Sequence, residues 1–151
     1  MTTGKLVGIS VRPAEGAPVQ ELTRTDIHVK GGLAADYRRG GGARAVTVLA
    51  REDWEAACRD AGADLPWTTR RANLLIEGIP LRESKGQRLR VGPVLLEITG
   101  ETRPCDIMEA AHSGLRAALE LAWRGGVTCR VVQPGHIRPG DPVTLEQGSE
   151  A

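Results

Sequence analysis

Short apolar runs, each ended by glycine or proline, limit the folds open to this chain more than any other feature of its sequence. Residues 5–11 alternate in polarity and read as a strand, stopped by Pro13 and the turn at 14–18. Residues 19–29 hold one or two short strands, and 30–44 form a Gly-rich loop. Residues 45–49 are an apolar, β-branched run of the kind buried in a sheet. Further strand patterns fall at 74–76, 89–91, 94–99, 127–132 and 143–145, with a turn across 135–141. Helical spacing is confined to two clear places. Trp54, Ala57, Cys58 and Ala61 recur at i, i+3, i+4 and i+7 over 51–61, and Gly62 is placed to end that helix. Leu115, Ala118, Leu119 and Ala122 form a second apolar stripe, with Ser113 as its expected cap and Arg124-Gly125-Gly126 as its stop.

The tally of seven or eight short strands and two or three helices shows no regular βαβ alternation, which disfavours a doubly wound parallel sheet. The expected fold is β-rich α+β: a mostly antiparallel β-barrel with two or three packed helices. A length of 151 residues suits a single domain with its own core. Its expected span is residues 5–146, with flexible termini at 1–4 and 147–151.

Composition removes several classes of function. A formal net charge of +1 gives no strong non-specific attraction to nucleic acid or to an anionic membrane. Three Trp, one Tyr and no Phe leave too few aromatics for a base-stacking surface, and the core must come from Val, Leu, Ile and Ala. No apolar run is long enough to span a bilayer, and no signal-peptide pattern opens the chain. Cys58, Cys105 and Cys129 are dispersed with no CxxC pair, so a zinc ribbon is not expected. Free thiols in a reducing, cytoplasmic setting are the expected state.

Of the three cysteines, Cys105 is set apart by its neighbours. Cys58 lies on the apolar stripe of the first helix, and Cys129 alternates with Val127 and Val131 on one face of a strand. Both read as core residues. Cys105 instead follows Arg103 and Pro104 and precedes a helix start, where Asp106 and Glu109 have the spacing of a capping box. Proline keeps Arg103 extended. A nearby Arg and helix N-terminus favour the thiolate, and Asp106 opposes it. The roles open to such a thiol are nucleophile, sulfur carrier, ligand to a soft metal, or a partly buried structural residue. His112 lies seven residues on, across the helix start, and reads as a surface residue; His28 alternates along a strand and His136 sits in a turn.

The order of these pieces resembles the MOSC domain, the family related to the C-terminal part of molybdenum-cofactor sulfurases. The resemblance rests on a strand, Arg103-Pro104-Cys105 and a helix. It continues through Trp123-Arg124-Gly125-Gly126-Val127, a strand, and GHIRPGDPV at 135–143. Upstream, GGLAADYR at 31–38, RAVTVLARED at 44–53 and TRRANLLIEGIPL at 69–81 are similar to further segments of the family in the same order. The likeness covers residues 5 to 146 and implies a stand-alone MOSC protein. It implies a barrel fold, molybdenum cofactor (molybdopterin) as ligand, and Cys105 as the functional cysteine. In the sulfurases the domain is thought to handle the cofactor or its sulfur. In the mitochondrial amidoxime-reducing component and bacterial reductases of N-hydroxylated bases, the matching cysteine ligates molybdenum. The phosphate and pterin of the cofactor call for cations and amides. Arg70, Arg71 and Asn73, just before a strand, are the main candidates, with Arg103 beside the thiol. Lys30, Asp36 and Arg38 lie in the Gly-rich loop that the family places near the site. One departure is Ala35, where many relatives have glycine immediately before the loop aspartate.

Three functions follow as expectations. The chain is an oxidoreductase holding the cofactor through Cys105, a non-catalytic cofactor-binding or sulfur-carrying module, or a structural barrel with a decayed site. The first requires an external redox partner, since nothing in the sequence resembles a flavin, haem or iron–sulfur site.

Overall fold

Alternation along the strands sorts the side chains to the two faces of one curved sheet. In Arg88–Val91, Leu89 and Val91 are fully buried while Arg88 and Arg90 stay half-buried. The computed structural model describes residues 2–37 and 41–147. Its strands are β1 (Thr2–Val11), β2 (Gln20–Leu22), β3 (Thr25–His28), β4 (Gly32–Leu33), β5 (Val46–Ala50), β6 (Leu74–Glu77), β7 (Arg88–Val91), β8 (Val94–Glu101), β9 (Val127–Gln133), β10 (Gly135–Ile137) and β11 (Pro142–Glu146). The helices are α1 (Arg51–Ala61), α2 (Asp106–Ala111) and α3 (Leu115–Glu120), with single 3₁₀ turns at Trp67–Arg70 and Leu121–Trp123.

The order β11-β7-β8-β9-β5-β6-β1 closes on itself, because β1 also pairs with β11 from Thr2↔Leu145 to Lys5↔Pro142. The result is a closed β-barrel of mostly antiparallel strands, with the three helices packed outside it. Closure removes the open sheet edges that would otherwise invite pairing with other chains. Among the described strands of the barrel, β5 and β6 are the one parallel pair, in register at Val48↔Leu74 and Ala50↔Ile76. A parallel pair needs a crossover, and α1 lies within it. A small sheet of order β10-β3-β4 flanks the barrel.

Two apolar clusters follow from the same alternation. Val48, Leu74 and Ile76 face the barrel interior together with Leu96, Ile98 and Cys129. Leu49 and Leu75, one residue out of phase, face outward and meet Trp54, Met108, Leu115 and Leu119 of the helices. Leu115 and Leu119 are fully buried, contributing about 2 kcal/mol each. No helix among the described residues is long and apolar enough to cross a membrane.

Helix α1 has the predicted bounds. Gly62 closes it at φ 68°, with its N–H on the Arg59 carbonyl and the Ala63 N–H on that of Cys58. Other details differ from the sequence reading. β1 begins at Thr2, because residues 2–5 are needed to close the barrel on β11. Gly32–Leu33 forms a short strand within the expected loop, and 135–137, read as turn, pair with β3. Ser113 does not cap α3: Gly114 does, at φ 88°, a left-handed conformation costly for a residue with a Cβ. The last helix also stops at Glu120, and the chain kinks at Ala122 (φ 52°).

Candidate functional site

Strand β8 delivers Thr102 to one end of the barrel, where its N–H bonds the Gly126 carbonyl at 2.8 Å. Arg103 is exposed, Pro104 buried and Cys105 exposed again. Cys105 itself occupies the cap position of α2. Its backbone is extended (φ −128°), and its carbonyl accepts the Met108 N–H at 3.0 Å. The capping box read from Asp106 and Glu109 is therefore displaced. Asp106 is the first helical residue and pairs with Arg116, while Glu109 accepts the Gly114 N–H at 3.0 Å. The cap falls one residue early because the turn after Pro104 already leaves the Cys105 carbonyl in position for the first helical bond. Met108, 1% exposed, anchors α2 in the outer cluster.

Cys105 borders a cavity of about 300 Å³ whose wall includes Arg44, Arg70, Arg71 and Arg103 and no carboxylate. Arg70 lies at the end of the 3₁₀ turn. Its Nε donates to the Gly125 carbonyl at 3.1 Å and its Nη2 to the Thr102 carbonyl at 3.0 Å. Burial lowers its guanidinium from the ordinary value, against a smaller opposing pull from the neighbouring Cys105 sulfur. Arg71 turns the chain at φ 65°. Among the described residues, no hydrogen bond or ion pair engages the side chains of Arg44, Arg71 and Arg103.

A second cavity of about 250 Å³ shares Arg44, Thr47 and Arg71 with the first and adds Arg12, Asp36 and Asn73. Asn73 is at its floor, 9% exposed. Its Oδ1 accepts from the Thr47 N–H (3.1 Å) and hydroxyl (3.2 Å); its Nδ2 donates to the Ser10 carbonyl (3.3 Å) and to Asp36 Oδ2 (3.1 Å). A carboxamide has two acceptor and two donor positions, and all are taken. Asn73 can therefore meet a ligand only by giving up one of these partners. Asp36 also accepts the Arg12 N–H at 3.4 Å. The Arg12 guanidinium lies over the Tyr37 ring at 5.3 Å. Ala35, at the family's glycine position, adopts φ 70°.

The sequence candidates thus divide. Cys105, Arg70, Arg71 and Arg103 share one cavity, and Asn73 and Asp36 the adjoining one, with Arg71 in the wall of both. Lys30 lines a separate hollow with His28 and Tyr37, and Tyr37 also borders the second cavity. Arg38 lies outside the described residues. His112 Nδ1 is 2.9 Å from the Ser113 carbonyl and His136 pairs with Asp26, both on the surface. Sequence reasoning missed Arg44, Thr47 and Arg12. Arg44 and Thr47 stand in the segment 44–53 whose likeness to the family was already visible, but Arg12 carries no local signal. Cys58 and Cys129 are buried, as their positions in helix and strand predict, and burial raises both thiols above their ordinary value.

The donor set can be tested against a metal-bearing cofactor. Among the described residues no group of three or more His, Cys, Asp or Glu side chains is placed to hold a bare ion. Among the described residues Cys105 is the one thiol of a cation-rich cavity whose wall also holds the buried Met108 thioether. That suits a cofactor bringing its own sulfur ligands and anionic groups.

Solved structures share this architecture. The YUAD protein from Bacillus subtilis superposes with a TM-score of 0.80 at 18% identity, over 99% of this chain and 100% of that one. YiiM from Geobacillus stearothermophilus gives 0.67 at 19% identity, over 95% of this chain and 73% of that one. YiiM from Escherichia coli gives 0.70 at 17%, over 97% and 72%. At these identities the likeness is one of fold. No curated protein matches the chain. Residues 35–144, which hold both cavities' shared wall and Cys105, match the MOSC domain; the chain belongs to the MOSC domain family.

Proposed function

We propose that this protein binds molybdenum cofactor in the cleft beside Cys105, as a cytoplasmic MOSC protein whose functional unit is residues 5–146. One observation carries the reading: an exposed thiol borders a cavity walled by four arginines and no carboxylate. A thiolate and a phosphate together would leave uncompensated negative charge in a partly dry site. Arg44, Arg71 and Arg103 supply the counter-charge, and a guanidinium fork matches phosphate oxygens in pairs. Cys105 supplies the soft ligand, or carries sulfur as a persulfide. When bound, the cofactor supplies a redox-active metal centre. Reduction of N-hydroxylated substrates would draw its electrons from an external redox partner. The convergence on one cavity of three arginines that have no ion-pair partner among the described residues favours this reading over a decayed, purely structural barrel, since an anion bound there would meet several guanidinium groups at once.

The test compares wild type with C105S after loading with molybdenum cofactor. Bound metal is measured by elemental analysis, the pterin by fluorescence, and the fold by thermal unfolding. Wild type should retain molybdenum and pterin. C105S should lose the metal while the apoprotein's stability changes by less than about 0.5 kcal/mol, because an exposed side chain contributes little packing. Equal metal in both proteins would remove Cys105 as the ligand.

A further inference from the structure

We infer that Arg70 is a positioning residue, whose guanidinium holds the Thr102–Cys105 loop against the Gly125–Gly126 turn and so fixes where the thiol stands. The inference rests on the reading of Cys105 as the functional residue of the cleft. Arg70 borders the same cavity as Arg44, Arg71 and Arg103, but among the described residues it is the one of the four whose guanidinium is bonded to the protein. It donates to Gly125 and Thr102, residues 55 and 32 positions away in sequence. The two carbonyls belong to the two segments that frame Cys105.

The packing between those segments leaves no slack. A Cβ on Gly125 would lie 2.3 Å from the Thr102 carbonyl oxygen, 3.2 Å from Arg70 Nη2 and 3.5 Å from Pro104 Cδ. A Cβ on Gly126 would lie 2.4 Å from the Val48 carbonyl. Two glycines in succession thus let the 125–126 backbone press against β5 on one side and against Thr102 on the other, and Arg70 bridges the join. Thr102 has no other side-chain tether, as its hydroxyl is buried without a partner. On the far side of Cys105, α2 is held by Met108 and by the Asp106–Arg116 pair, which is solvent-exposed and therefore weak. On the near side, Arg70 adds two side-chain bonds to the Thr102 N–H···Gly126 backbone bond, and these hold the approach to the thiol. Lysine cannot replace arginine here: a point charge on a flexible stem lacks the planar fork that reaches two carbonyls together.

The experiment places a nitrile on Cys105 by cyanylating the exposed thiol and reads its infrared band, well below the unfolding temperature, in wild type, R70K, R70Q and G125A. The expected result is a narrow band in wild type. R70K and R70Q should both broaden and move toward the position of a solvated thiocyanate. G125A, which pushes on Thr102 but leaves the Arg70 charge in place, should broaden likewise. An unchanged band in R70K would overturn the inference, since the charge alone would then suffice. Unchanged bands in all three would do the same, leaving Arg70 as a general stabiliser seen only in the melting temperature. Molybdenum cofactor binding by wild type is measured separately. Broadening with no cofactor bound would sink the functional reading and keep the positioning role; binding without broadening would do the reverse.

Discussion

Truncating Asn73 to alanine removes four hydrogen bonds at once, and the structure sets what that costs. The two bonds from Thr47 and the one to the Ser10 carbonyl are neutral, about 1 kcal/mol each. The bond to the Asp36 carboxylate is charge-assisted, about 1.5 kcal/mol or more. Two partners recover part of their loss. Asp36 is half-buried and rehydrates, and the Thr47 hydroxyl, which keeps the Asn73 backbone N–H it accepts at 3.0 Å, turns its own proton to water in the adjoining cavity. The Thr47 N–H and the Ser10 carbonyl have no such recourse, because Ser10 is 2% exposed and Val46 and Val48 flank Thr47 in the core. The net cost of N73A is about 3 kcal/mol, a large share of the 5–15 kcal/mol typical of a domain. N73D sharpens the test. It keeps an acceptor for Thr47, loses both donors and sets a second carboxylate against Asp36. Combining it with D36N restores a donor–acceptor pair with its direction reversed. The double variant should therefore recover about 1–2 kcal/mol of the N73D loss. Urea unfolding with a common m-value measures all four proteins. An N73A cost below about 1 kcal/mol, or a double variant no more stable than N73D alone, would refute the reasoning.

Three further outcomes follow. Thiol reagents should modify Cys105 first and reach Cys58 and Cys129 only on unfolding, because burial both blocks those sulfurs and disfavours their thiolates; mass spectrometry of the partly labelled native protein identifies the sites. A35G should raise stability by about 1 kcal/mol, since Ala35 holds φ 70° and glycine adopts that conformation without a Cβ clash; thermal unfolding decides the sign. Burial, with Glu52 beside it, pushes the Asp53 carboxyl from 3.8 up to about 6, against a smaller opposing pull from Arg124. The folded state therefore holds a proton that the unfolded chain has released, and this group's contribution to stability declines as pH rises from about 4 to about 6. D53N should flatten that segment of the stability–pH curve and, with solvent screening of a half-buried group allowed for, gain about 1 kcal/mol at pH 7.

The sequence by itself determined the elements whose signal is local. Spacing at i, i+3, i+4 and i+7 marked α1 to its last residue, and Gly62 marked its end, because a helix records its buried face within each turn. Alternation likewise put Cys129 in the core, and the shortness of the strands with no βαβ rhythm pointed to a barrel. The segments resembling the family held Cys105 and Arg71, which the fold brings to one cavity. Only the tertiary structure decided the rest. Closure of the barrel joins residues 2–5 to 142–145, and no short window contains both. The cap of α2 falls on Cys105, whose carbonyl takes the Met108 N–H, while Asp106 pairs with Arg116 ten residues on. Arg70 and Arg71 are adjacent and chemically alike, yet one is tied to two carbonyls and the other borders both cavities with no partner among the described residues. The partners of Asn73, which are Ser10, Asp36 and Thr47, come from three separate parts of the chain. The physical reason is common to all four. Periodicity encodes which face of an element is buried, while a polar side chain's role depends on which distant backbone or side-chain atoms arrive beside it when the chain closes.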